Sequence, residues 1–162
     1  MSKAFIYCHF RRKRYNNCYK GCVIIRILAI DYGDARVGFA TCDKDEILAT
    51  GLRTEKVRGM RGAAEISAKI AKEENAEMIV VGMPLNMDGT KGFRAENTKA
   101  FCEILKTLTD LPIETCDERC TTVQAYSYMI SANTKKSKKR DIVDTVAAEI
   151  ILQSFVDKRK NK

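Results

Sequence analysis

The chain has 162 residues, 45% hydrophobic and 31% charged, a globular composition that suits one domain of ordinary size with its own core. Its longest apolar run near the N-terminus, Val23-Ile24-Ile25, is broken by Arg26 and falls far short of a membrane span. The formal net charge is +8, but residues 1–22 hold six bases (Lys3, Arg11, Arg12, Lys13, Arg14 and Lys20) and no acid, so the rest of the chain is only mildly basic.

Residues 1–22 differ from everything after them: basic, aromatic and Cys-rich, with no apolar periodicity. Ala4-Phe5-Ile6-Tyr7 is too short for the apolar segment of a secretory signal, and the basic cluster follows it instead of preceding it. The aromatic and Cys content argues against a transit peptide, which points to the cytoplasm. The stretch reads as an appendage, disordered or an over-extended start of the reading frame. Cys8, His9, Cys18 and Cys22 supply zinc-type ligands, but at a spacing that matches no common finger. Seven cysteines, an odd number, fit reduced thiols better than a disulfide framework, and Cys42, Cys102 and Cys116 sit among apolar neighbours as small core residues.

From Val23 the pattern becomes regular. Ile24–Asp31 is a β-rich run ending in the turn signal Asp31-Tyr32-Gly33-Asp34; Arg36–Cys42 and Ile47–Thr54 are two further strands about the polar turn 43–46. Gly62–Asn75 carries Ala63, Ile66, Ile70 and Ala71 at helical spacing. Met78–Gly82 is an unbroken apolar run, as expected of a strand covered on both faces. A loop with Pro84, Gly89 and Gly92 leads to a helix over Phe93–Leu108, with Phe101, Leu105 and Leu108 inward. Ile113–Asp117 is a short strand, Thr121–Ile130 a helix, and a Lys-rich loop precedes an amphipathic helix over Ile142–Phe155. Three strands in quick succession followed by βα units predict an α/β domain over 23–158: a mixed five-stranded sheet, an antiparallel meander and then two parallel strands, flanked by helices, with a basic tail over 159–162.

Three acidic positions stand out. Asp31 closes the first strand, Asp117-Glu118-Arg119 follows the fifth, and Asp141 and Asp144 lie one turn apart in the expected first turn of the last helix. If carboxylates from separate elements converge, their repulsion demands a cation, and magnesium, a hard ion that prefers oxygen ligands, is the natural one. Structural readings stand beside this: Asp141 or Asp144 capping the helix, Glu118 paired with Arg119 or a lysine, Asp31 stabilising its turn. Other chemistries fit worse. His9 is the only histidine and lies in the appendage, so Ser-His and Cys-His systems lack a base, and neither a P-loop nor a dinucleotide fingerprint is present. Cys116 and Cys120 have three residues between them, which is not a redox pair.

Four motifs occur in order: Ile30-Asp31-Tyr32-Gly33 with Arg36-Val37-Gly38; Val81-Gly82-Met83-Pro84-Leu85-Asn86-Met87-Asp88-Gly89; Asp117-Glu118-Arg119-Cys120-Thr121-Thr122; and Val143-Asp144-Thr145-Val146-Ala147-Ala148 with Ile151-Leu152. Together they closely resemble the YqgF family of pre-16S rRNA nucleases, also described as Holliday junction resolvases. The resemblance runs from about Val23 to the end of the last helix. It implies an RNase H-like fold and the carboxylates Asp31, Glu118 and Asp144 as catalytic and metal-holding residues, with Asp141 left to a capping role. It further implies phosphodiester hydrolysis by one or two Mg²⁺ ions, with Mn²⁺ as a substitute. Arg36, Arg119 and the cluster Lys135, Lys136, Lys138, Lys139 and Arg140 are the candidate nucleic-acid contacts, and the Pro84–Gly92 loop is a candidate rim of the groove. Precursor rRNA is the favoured partner, branched DNA the second, and a non-catalytic nucleic-acid-binding protein on the same fold the third reading.

Overall fold

The computed structural model describes residues 26–42, 48–84, 92–117 and 136–160, with side chains in the last stretch described from residue 143. Five strands form one sheet: β1 (Ile27–Tyr32), β2 (Arg36–Cys42), β3 (Ala49–Lys56), β4 (Met78–Met83) and β5 (Ile113–Asp117). The order is β3-β2-β1-β4-β5, with β1–β2 and β2–β3 antiparallel and β1–β4 and β4–β5 parallel. This is the mixed sheet that the meander and the βα units predict.

Alternation along the strands divides the core in two. Leu28 and Ile30 of β1 and Ile79 and Val81 of β4 join Val37 and Phe39 under α1 (Gly59–Glu73) and α2 (Phe93–Lys106). Ile27, Ala29, Met78 and Val80 face the other way, onto Ala148, Ile151, Leu152 and Val156 of α3 (Lys136–Lys160). β4 is buried throughout because helices cover both faces of the parallel half of the sheet. Helix α1 ends on Asn75 at φ 52°, with Ala76 N–H donating to Ala71 C=O at 2.8 Å, a left-handed stop that Asn tolerates.

The helix α3 departs from the sequence reading in its start. It begins at Lys136, so residues expected in a Lys-rich loop are helical. Lys and Arg propagate a helix well, and a polar first turn carries no apolar period to betray it. Asp141 therefore lies beyond the first turn, which contains no acid, and its capping role falls away. The expected helix Thr121–Ile130 and the first two residues of the expected first strand lie outside the described residues.

Cys42, Cys102 and Cys116 are buried, as their apolar neighbours imply. Burial pushes the Cys102 thiol up to about 11, with Lys106 opposing and Glu103 adding to the rise. Because a raised thiol pKa keeps the neutral form, and only the thiolate is nucleophilic, Cys102 should stay unalkylated by iodoacetamide at pH 8.5 in the folded protein and react once urea unfolds it. Peptide mass mapping with and without urea reads this directly; labelling of native Cys102 at the unfolded rate would contradict it.

Candidate active site

The β1–β2 connection is a tight hairpin about Asp34 and Ala35, closed by Gly33 N–H donating to Arg36 C=O at 3.0 Å. A Cβ on Gly33 would lie 2.8 Å from that oxygen, so the turn needs glycine there. Asp31 stands before the turn, inside the ladder and opposite Gly38. Since Ile30 faces α1 and α2, Asp31 faces α3.

Gly38 is the contact point of that helix. A Cβ there would sit 2.0 Å from the carbonyl oxygen of Asp144, so the backbone of α3 rests directly on β2. One residue on in the helix, Gly51 of β3 leaves room for the Thr145 methyl, and the Thr54 and Thr145 hydroxyls share a hydrogen bond at 2.8 Å. Glu149 and Gln153 accept hydrogen bonds from the Gly51 and Ala49 N–H groups at 3.2 and 3.0 Å. Thr145, Glu149 and Gln153, spaced by four, thus form a polar stripe aimed at β3 instead of at solvent. This seam fixes the rotation and height of α3 and, with them, the position of Asp144.

Two residues from Gly38 on the same face of β2, Arg36 Nε lies 2.9 Å from Asp144 Oδ2, with the two side chains 29% and 27% exposed. Asp31 and Asp144 line one cavity of about 350 Å³ with Tyr32, Pro84, Arg94 and Asn97. It opens at the C-terminal ends of β1 and β4, where the chain leaves β1 toward one sheet edge and β4 toward the other, the usual place for a ligand in such a sheet. Tyr32 stacks on Phe101 with ring centroids 4.4 Å apart, tying the end of β1 to α2. Burial, then the nearby Asp34 charge and a hydrogen bond to Asp34, raise the Tyr32 phenol and keep it protonated.

Of the residues singled out from sequence, Asp31, Arg36 and Asp144 are brought together. Lys136, Lys138, Lys139 and Arg140 occupy the opening turns of α3 ahead of Asp144. Glu118, Arg119, Lys135 and most of the Pro84–Gly92 loop lie outside the described residues. Arg94 and Asn97, three apart on α2, line the cavity and were missed; their signal in sequence is faint, two polar residues at the start of an amphipathic helix. Asp31 and Asp144 bring carboxylate oxygens, the donor type a hard divalent cation takes, into one cavity. Among the described residues no group of three or more His, Cys, Asp or Glu side chains could hold a metal, and none of the helices is long and apolar enough to cross a membrane.

Known proteins match this arrangement. The chain is 39% identical over 133 residues to a protein of Clostridium novyi named "Putative pre-16S rRNA nuclease", covering 82% of this chain and 98% of that one. It is 42% identical over 135 residues to a protein of the same name from Ruminiclostridium cellulolyticum, covering 83% and 95%. Among solved structures, RuvC of T. thermophilus in complex with a Holliday junction substrate superposes with a TM-score of 0.56 at 11% identity, over 84% of this chain and 96% of that one, a likeness of fold. A family model described as "RuvX: Holliday junction resolvase" matches residues 25–158, and the chain belongs to that family.

Proposed function

We propose that the chain is a metal-dependent nuclease that hydrolyses phosphodiester bonds in processing the 5′ end of precursor 16S rRNA in the cytoplasm. The observation that carries this reading is the pair of carboxylates, Asp31 of β1 and Asp144 of α3, distant in sequence and facing one cavity at the C-terminal ends of the parallel strands. The names of the curated relatives support the RNA substrate.

In the proposed mechanism Asp31, Asp144 and Glu118 would hold one or two Mg²⁺ ions, for which Mn²⁺ could substitute. In sequence Glu118 directly follows Asp117, the last residue of β5. When bound, the cation supplies Lewis acidity and an activated water, chemistry that needs no histidine. The chain itself binds and orients the strand: Arg94 and Asn97 on one wall of the cavity donate to phosphate oxygens, and Ile150 and Ile151 close the opposite wall with apolar surface. Lys136, Lys138, Lys139 and Arg140 of the opening turns of α3, with Arg119 and Lys135, are the further candidate phosphate contacts. Residues 1–22 take no part.

A second reading, a structure-specific DNA endonuclease acting at four-way junctions, is favoured by the family description and by the fold shared with a junction-bound RuvC. Phosphate contacts carry no base information, so substrate choice must be measured. The test is a side-by-side cleavage assay on a precursor rRNA fragment and a synthetic junction, with Mg²⁺ or Mn²⁺ and a chelator control. Cleavage of the RNA that stops with chelator, in the full chain and in one lacking residues 1–22, is the expected result. Preference for the junction would shift the assignment to the second reading, and metal-independent cleavage or none would end both.

A further inference from the structure

Arg36 is the residue whose placement fits least well with the phosphate contact expected of it. Strand β2 touches Asp144 twice. At Gly38 the helix backbone rests on the strand, and two residues earlier on the same face Arg36 Nε meets Asp144 Oδ2 at 2.9 Å. That oxygen is shielded from solvent, although the Asp144 side chain as a whole is about a quarter exposed and lines the cavity. Asp144 thus meets the Arg36 guanidinium through Oδ2 while the residue itself lines the cavity. Arg36 itself is not among the residues that line the cavity.

We propose that Arg36 is a positioning residue that orients the Asp144 carboxylate toward the cation, so that β2 fixes both the backbone and the side chain of one metal-holding residue. This rests on the nuclease reading above. An unpinned carboxylate samples several rotamers, and binding a cation would then have to order it; the ion pair removes that cost beforehand. A guanidinium suits this role better than an ammonium because its planar fork is pre-organised.

The experiment is Mn²⁺ titration of the full chain without nucleic acid, read by electron paramagnetic resonance and calorimetry. Arg36→Gln should weaken Mn²⁺ binding by roughly ten- to a hundredfold, the usual loss when a group orienting a metal-bound carboxylate is removed. Arg36→Lys should recover part of the loss, which separates positioning from misfolding. Unchanged Mn²⁺ affinity with a raised KM for RNA would return Arg36 to phosphate binding and overturn the proposal. Tighter Mn²⁺ binding in Arg36→Gln would also overturn it, by making Arg36 a competitor of the cation. Asp31→Asn and Asp144→Asn serve as the separate check on the site: if these leave Mn²⁺ binding of the parent unaltered, the metal reading itself fails, whatever Arg36 does.

Discussion

Asp144→Asn and Asp31→Asn are each expected to lower RNA cleavage by at least about a thousandfold, Asp31→Asn with thermal stability nearly unchanged and Asp144→Asn with a modest loss from its ion pair with Arg36. The carboxylates sit at a cavity wall and not in either core cluster, so an isosteric amide disturbs little packing. The loss comes from the charge: an amide oxygen is a weaker ligand, and Lewis-acid stabilisation of the transition state is worth several kcal/mol, with each 1.36 kcal/mol a factor of about ten. Glu118→Gln belongs in the same series. Single-turnover cleavage with excess Mg²⁺, beside a melting curve, checks the set. Activity within tenfold of the parent in any variant would remove that residue from the proposed metal-holding trio.

Gly38→Ala should be a strongly damaging small substitution. One methyl group there would stand 2.0 Å from the Asp144 carbonyl oxygen and 2.5 Å from its carbon, and both are backbone atoms that cannot rotate away. Helix α3 would have to lift from β2, loosening the Thr54–Thr145 hydrogen bond and the packing of Ala148, Ile151 and Leu152. Overpacking of this kind costs about 3 kcal/mol, which lowers Tm by roughly 10 °C in a domain of this size. It also moves Asp144 away from Asp31, so cleavage should fall at temperatures where the variant is still folded. Differential scanning calorimetry and cleavage at 20 °C give the two readouts. A variant that melted with the parent would show that the helix does not bear on the strand at this point.

The architecture was legible because its signals are local. The strand-like run Arg36–Cys42, the unbroken apolar run from Met78 and the helical spacing of Ala63, Ile70 and Ala71 each follow from which faces are covered. The start of α3 was not legible, since Lys136–Arg140 bury no period, and this is why Asp141 was mistaken for a cap. For the site, Asp31, Arg36 and Asp144 were named from motifs, yet nothing in spacing predicts that Arg36 meets Asp144, because that contact depends on the height of α3 over β2. Arg94 and Asn97 escape for the same reason: α2 is brought to the cavity by tertiary packing, Phe101 on Tyr32 and Cys102 and Leu105 in the core.

In β3, Phe39 opposes Arg53 while Ala40 opposes Gly51, so Leu52 is an extra residue bulged out of the ladder. Leu52 packs into the core under α1 and α2, and Gly51 and Thr54, three apart, both meet α3. Because β3 is an outermost strand among the described residues, and α3 side chains already take its Ala49 and Gly51 N–H groups, that irregularity also keeps the remainder of its margin from being a straight template for a neighbouring molecule. Excising Leu52 would restore plain alternation and keep both contacts with the helix, so the folded shape would survive. What would be lost is the guard: a smooth margin invites intermolecular strand addition, and the shortened protein would reveal its defect as clumping at high concentration.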